Sequence, residues 1–366
     1  MKTTEEETIS GNDTKLAVPS SAPPTCTDPS CISLATVLVI IFIVGSLGNA
    51  VVIWIAGFKL KKKSVNTTWY LSLAVSDFLF CFSLPFTVVY RIKDDWIFGL
   101  FMCKFISFIM FLNMFSSIFL LVIISVDRCV AVIFPVWAQN RRTIRKASVI
   151  VSLVWIISAG ISTPSFTFRT VQPHYVKQTK TCFNDYKHDQ DHVIVVVFRF
   201  VFGFLMPFLI IIACYVVIIR KLKINQSAKT KKPFKIMTAL IVTFFLCWIP
   251  FHIVALMELN HEKYDGSFLH VGQVIGVTLA SANSCLNPFL YAFMGRTLRG
   301  SVLLFCRRLR MQSTRKAGAQ CEQPPSPPLE KKDFQLLFEF LRTIKLYNFK
   351  PKKTAIKKHL FSVYVA

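Results

Sequence analysis

The chain has 366 residues, of which 53% are hydrophobic and only 17% charged, with a formal net charge of +24. Soluble domains carry about 25% charged residues and interrupt their apolar stretches more often, so composition points to a bilayer. The surplus of cations would suit nucleic acid, but the basic residues lie in alternate gaps between apolar runs, which excludes that reading.

Residues 1–32 are polar and acidic, with Glu5, Glu6, Glu7, Asp13 and Asp28, and are expected to form an extracellular tail without a core of its own. No basic head precedes an apolar core there, so no cleaved signal peptide is expected. Asn12-Asp13-Thr14 is a sequon and makes Asn12 the candidate glycosylation site. Cys26 and Cys31 lie at the end of this tail; pairing between them is left open.

Seven apolar runs follow, at 33–58, 65–90, 99–133, 146–164, 192–222, 232–257 and 267–293, each long enough to cross a bilayer as a helix. The expected fold is an all-α membrane protein, a seven-transmembrane helix bundle over residues 33–294. The gap after the first run holds Lys59, Lys61, Lys62 and Lys63; the gap after the third holds Arg141, Arg142, Arg145 and Lys146. The gap after the fifth holds Lys221, Lys223, Lys229, Lys231, Lys232 and Lys235, whereas the intervening gaps mix signs. The positive-inside rule therefore places the first, third and fifth loops in the cytosol and the N-terminus outside. Asn66 and Asn225 also head sequons, but on the cytosolic side, where they are expected to go unused.

Asp77 stands inside the second apolar run. A charged group at membrane depth costs at least ~2.5 kcal/mol and is normally kept for function. Asn113 and Ser117 are four apart on the third run, and Asn283 and Asn287 four apart on the seventh, so each pair shares a helix face and can meet the acid. Such a polar knot suits a switch. Pro207 and Pro250 remove backbone donors and are expected to kink the fifth and sixth helices.

Cys81, Cys129, Cys214, Cys247 and Cys285 fall within spans and read as core material, whereas Cys103 and Cys182 fall outside the bilayer. After the seventh run, residues 295–310 read as a short amphipathic helix on the inner membrane face, in contact with lipid, and Cys306 is its candidate palmitoylation site. Residues 311–366 form a cytoplasmic tail that is Pro-rich at 323–328 and poor in Ser and Thr.

Each span carries a marker: Gly48-Asn49, Leu73-Ala74-x-x-Asp77, Asp127-Arg128-Cys129, Trp155, Pro207 with Tyr215, Cys247-Trp248-x-Pro250, and Asn287-Pro288-x-x-Tyr291. Seven in this order resemble the rhodopsin-like G-protein-coupled receptors. Trp96-Ile97-Phe98-Gly99, Ser125-Val126-Asp127-Arg128-Cys129, the run 134–140 and the run 228–235 resemble the chemoattractant group, closest to chemerin-type and formyl-peptide receptors. The stretch Ile109-Met110-Phe111 lacks the deep acid of the formyl-peptide receptors, which favours the chemerin type.

The resemblance implies a plasma-membrane receptor, not an enzyme, for an extracellular peptide or protein chemoattractant. It implies an inhibitory-type heterotrimeric G protein as partner, with calcium release, lowered cAMP and leukocyte chemotaxis downstream. It also implies a Cys103–Cys182 disulfide, and a sodium site at Asp77, Asn113, Ser117, Asn283 and Asn287 where Na⁺ acts as an allosteric ion, no other cofactor being expected. Arg128 is expected to be held by Asp127 at rest, with Trp248, Phe244, Ile118 and Pro207 relaying ligand binding, and Tyr215 and Tyr291 closing around Arg128 on activation. Arg199, about two turns into the fifth helix and flanked by Phe198, Phe200 and Phe202, is the expected ligand anchor, because a desolvated guanidinium binds a carboxylate through two parallel hydrogen bonds. Glu258, Asn260, Gln273 and Phe111 are expected around the same opening.

A carboxylate lipid mediator satisfies Arg199 as well as a peptide terminus does. A non-signalling scavenger for the same ligands is the other alternative, and the unusual tail leaves arrestin recruitment open. No Lys in the seventh run excludes a retinal Schiff base, and no Asp in the third at the level of Met110 argues against an amine ligand. A transporter or channel would need a continuous polar path, and one buried acid makes only a blind pocket.

Overall fold

The computed structural model of the chain describes residues 26, 28–60, 63–174, 179–225 and 231–294. Asn12, Cys306, the surface helix expected at 295–310 and the tail 311–366 lie outside these residues.

Helix α1 (Pro29–Trp54) starts on a proline, where the missing N–H costs nothing, and runs on into a π-helical turn (Ile55–Lys59). Ser64 caps α2 (Val65–Lys93), its hydroxyl accepting from the Thr67 amide at 3.2 Å. Asp94, in the left-handed region at φ 49°, ends α2, and Gly99 at φ 76° begins α3 (Gly99–Ile133). The run at 134–140 forms a short helix, α4 (Pro135–Arg141), and Thr143 then caps α5 (Ile144–Ser162), which is followed by α6 (Pro164–Thr167). The fifth crossing is α7 (Asp189–Phe200), a π-helical turn (Val201–Leu205) and α8 (Met206–Asn225) in one continuous helix. The sixth and seventh are α9 (Lys231–Glu258) and α10 (Gly266–Met294), joined through a 3₁₀ turn (His261–Lys263).

Six helical stretches are long and apolar enough to cross a bilayer: Pro29–Lys59, Val65–Lys93, Gly99–Ile133, Ile144–Thr167, Asp189–Lys221 and Met237–Glu258. Helix α10, with 29 residues, has the length but not the apolarity. The reason is physical: it turns Ser281, Asn283, Ser284 and Asn287 into the protein interior, where they meet polar partners instead of lipid. Helix α3 is the axis of the bundle and packs against α2, α5, α8 and α9. Trp248, Tyr291, Phe111, Phe115 and Phe244 are the largest fully buried side chains and fill the space around it.

The all-α expectation needs one addition. Strands β1 (Arg169–His174) and β2 (Thr179–Asn184) pair antiparallel in the second outer loop, with Val171 opposite Cys182. Cys182 is bonded to Cys103 at the top of α3, as the resemblance implied, so the hairpin is tied down over the bundle. The Trp96 amide donates to the Lys180 carbonyl at 2.8 Å, and the Lys180 amide donates to Asp95 at 2.7 Å, which seats the strand on the first outer loop. Cys26 and Cys31 also pair, and the Cys26 amide reaches the Ile92 carbonyl at the end of α2.

Candidate functional site

Polar side chains collect at three levels of an otherwise apolar bundle. At the outer end, Arg199 lies on the inner side of α7, only 7% exposed. Its guanidinium carbon sits 3.6 Å from the centre of the Phe111 ring, and one of its amino groups donates to the Ser165 hydroxyl at 3.0 Å. Tyr186 completes this setting: burial pushes its hydroxyl up, while the charges of Arg199 and Arg169 and a hydrogen bond with Arg199 pull it down. Arg169, 2% exposed on β1, is a second guanidinium in the same region. Burial draws it down to about 10; Tyr186 opposes that shift, Arg199 adds to it, and Glu258 opposes it from α9.

A cavity opens here, lined by Tyr186, His192, Arg199, His252 and Glu258 over an apolar floor of Phe251. Gln273 of α10 donates to the Glu258 carboxylate at 2.8 Å. Two buried guanidiniums face one buried carboxylate, so the region keeps an excess of one positive charge. Phe111 thus lies against Arg199, Glu258 lines the same cavity, and Gln273 joins them through Glu258. Asn260 does not join them: it is exposed in the turn beyond α9, where its carbonyl accepts from the Lys263 amide.

Ring contacts descend from this cavity. Phe111 meets Phe251 at 6.1 Å, Phe251 meets Trp248 at 5.7 Å, and Trp248 stacks on Phe244 at 5.9 Å, with Ile118 fully buried in the same core. Pro250 sits within this stretch of α9, and Pro207 lies two residues past the π-helical turn of the fifth crossing.

At mid-depth, Asp77 is fully buried. One carboxylate oxygen accepts from the Asn113 amide at 3.0 Å and the other from the Asn287 amide at 2.8 Å. Asn113 also donates to Ser76 at 3.1 Å and accepts from Ser284 at 3.2 Å, and Ser76 bonds to Ser116 at 2.6 Å. Ser117 and Asn283, both 1% exposed, point polar atoms into the same interior with no hydrogen-bond partner among the described residues. Asp77 is thus met by two amide N–H donors, while Ser117 and Asn283 add buried oxygens without partners; a carboxylate with such oxygens is the ligand chemistry a hard cation takes. Ser76, Ser116 and Ser284 escaped the reading of the sequence, because serines are common in helices and only packing shows which ones face the acid.

At the cytosolic end, Arg128 donates to Asp127 through Nε at 3.1 Å and through an amino group at 2.5 Å. The same amino group bonds to the Asn66 side-chain oxygen at 2.5 Å. Arg142, in the link between α4 and α5, takes both oxygens of Asp127, at 2.6 and 2.8 Å, and also donates to Asn66. Tyr215 is bonded to Thr238 at 3.1 Å, and Tyr291 packs on Tyr70 with ring centres 5.0 Å apart. Arg128 is thus held by its neighbour, and the two tyrosines expected to close around it are engaged elsewhere.

Residues 48–291 match the family described as 7 transmembrane receptor (rhodopsin family). The human protein named Chemerin-like receptor 1 is 45% identical over 296 residues, covering 75% of this chain and 79% of its own. The C3a anaphylatoxin chemotactic receptor of Oncorhynchus mykiss is 38% identical over 276 residues, covering 73% of this chain and 75% of its own. N-formyl peptide receptor 2 of Macaca mulatta is 36% identical over 314 residues, covering 79% of this chain and 90% of its own.

Proposed function

The chain belongs to the rhodopsin family of seven-transmembrane receptors, and on that premise we propose that it binds a chemerin-like peptide outside the cell and activates an inhibitory-type G protein inside. It is a multi-pass plasma-membrane receptor of chemoattractant type, not an enzyme. The downstream response is calcium release, lowered cAMP and leukocyte chemotaxis.

The observation that carries the ligand assignment is the outer cavity with its excess guanidinium charge. Arg199 is immobilised between Phe111, Ser165 and Tyr186, so its fork is preorganised for a carboxylate, and little entropy is lost when one arrives. The free C-terminus of a peptide supplies that carboxylate, and Glu258 offers an acceptor to the peptide's amide groups. Binding acts by favouring one of two arrangements of the bundle. The ring series from Phe111 to Phe244 links the cavity to α9, and Pro250 gives that helix its hinge. Asp77, Asn113, Ser117, Asn283 and Asn287 would hold Na⁺, whose charge would offset the buried carboxylate, and in the resting arrangement Arg128 stays on Asp127. In the signalling arrangement Arg128 turns to the G protein with Tyr215 and Tyr291 beside it.

The test is forskolin-raised cAMP in cells expressing the full chain, challenged with the carboxyl-terminal peptide of chemerin. A fall in cAMP that pertussis toxin abolishes supports the proposal. Saturable peptide binding with no change in cAMP, calcium or G-protein activation would replace it with the scavenger reading. Response to a carboxylate lipid and not to the peptide would move the ligand class.

A further inference from the structure

Asn66 heads a sequon with no use on the cytosolic side, and Arg142 belongs to a loop whose basic residues are otherwise explained by topology alone. The structure gives both a shared purpose. Asp127 is gripped by two guanidiniums, and the grips are unequal. Arg142 spans both carboxylate oxygens, Nε to one at 2.6 Å and an amino group to the other at 2.8 Å. Arg128 contacts only the second of those oxygens. Asn66 accepts from both arginines and holds them side by side at the start of α2. The Arg142 backbone is fixed in turn, because its amide closes α4 on the Ala138 carbonyl and the next residue, Thr143, caps α5.

This geometry bears on the one costly event in the proposed switch. When Arg128 leaves for the G protein, Asp127, only 13% exposed, would be left as a half-buried anion without a counter-charge. Removing one partner of such a pair is penalised mainly through the charge left behind. Here the replacement is already in place. We propose that Arg142 is a positioning residue that serves as the standing counter-ion of Asp127, so that Arg128 can depart without orphaning the carboxylate. The inference rests on the receptor reading for its purpose, but its chemistry does not need a ligand or a G protein. It also fixes a sign: loss of Arg142 tightens the hold of Asp127 on Arg128 and opposes signalling, whereas a simple brake would do the reverse.

The deciding experiment is a double-mutant cycle on the full chain in lipid nanodiscs, read as apparent melting temperature with a thiol-reactive dye. Arg128→Ala and Arg142→Ala are each expected to cost little, because the other guanidinium still covers Asp127. Together they are expected to cost clearly more than their sum, and adding Asp127→Asn should restore additivity. Additive losses in the cycle would overturn the proposal. A second arm measures nucleotide exchange on a purified inhibitory G protein with the chemerin peptide. Arg142→Ala should reduce peptide-stimulated exchange about fivefold at matched receptor density, the size expected of a partly exposed ion pair. Arg142→Lys should recover most of it and Arg142→Gln little. Raised basal exchange in Arg142→Ala would sink the idea. Wild-type receptor that drives no exchange would instead count against the receptor reading, with the melting cycle still deciding the role of Arg142.

Discussion

Replacing Arg199 by alanine gives the most direct test of how the cavity selects its ligand. The guanidinium is 7% exposed, stacked 3.6 Å over Phe111 and bonded to Ser165, so a ligand carboxylate meeting it would be largely withdrawn from water. Truncating one partner of a buried, hydrogen-bonded charge pair costs ~2–5 kcal/mol. At 1.4 kcal/mol per factor of ten, that is roughly 30- to 4,000-fold in Kd. The lower end is expected, because Arg169 remains nearby and still attracts an anion. The assay is displacement of a fluorescent chemerin peptide on membranes, with the C-terminus free or amidated. On the wild type, the amide should bind at least 30-fold more weakly than the acid, the same loss that the pair energy gives. On Arg199→Ala the gap between the two peptides should shrink to the weaker preference that Arg169 still exerts. Arg199→Lys should fall between, keeping the charge but not the planar fork. The reasoning is refuted if the amide binds the wild type as well as the acid does. It is equally refuted if Arg199→Ala weakens both forms by the same factor, which would make Arg199 a packing element.

Three further perturbations probe other parts of the structure. Asp77→Asn removes the only charge in the mid-depth cluster, so agonist affinity should cease to depend on whether the buffer contains sodium or N-methylglucamine; a sodium effect of wild-type size in the variant would count against the cation site. Gly276→Ala would place a Cβ 2.8 Å from the Phe251 Cα, forcing α9 and α10 apart at ~1–3 kcal/mol, and an apparent melting temperature equal to wild type would contradict that close approach. Cys103→Ser unties the hairpin from α3, and losing a native disulfide typically costs ~2–5 kcal/mol, so surface expression and melting temperature should both drop. Normal values for both would mean that the hairpin is held by its hydrogen bonds to Asp95 and Trp96 alone.

The spans were legible because lipid imposes a length and a polarity that local sequence must meet. The third apolar run, 99–133, coincides with α3 (Gly99–Ile133), and the second, 65–90, ends three residues before Lys93, where the polar end of the helix leaves the bilayer. Asp77 with Asn113 and Asn287 could be read for the same reason, since an acid at that depth requires partners. What escaped depended on chain reversals whose landing points no periodicity encodes. Arg142 and Asn66 are 76 positions apart and meet Arg128 only because the short helix α4 folds the inner loop back beneath α3. Ser165, Tyr186 and His252 come to Arg199 from three separate elements, and none stands out in sequence as a partner of an arginine. The strand pair 169–174 and 179–184 was hidden in a loop too short and mixed in character to display an alternating pattern. Asn260 was misplaced by a single turn: α9 stops at Glu258, and two residues later the chain already faces solvent.

The π-helical turn at Val201–Leu205 determines more than the path of the fifth crossing. It holds one residue more than an α-helical turn would, so everything before it is rotated by about 100° relative to everything after it. Rewinding the same residues as plain α-helix, with none removed, would turn the outer segment by that step. Phe200 would then take the place of Arg199, and Arg199 would take that of Phe198, which is exposed on the outer side of the helix. The chemical identity of the outer cavity is in this sense a matter of phase: a change of winding that deletes no residue at all would exchange a cationic wall for an aromatic one.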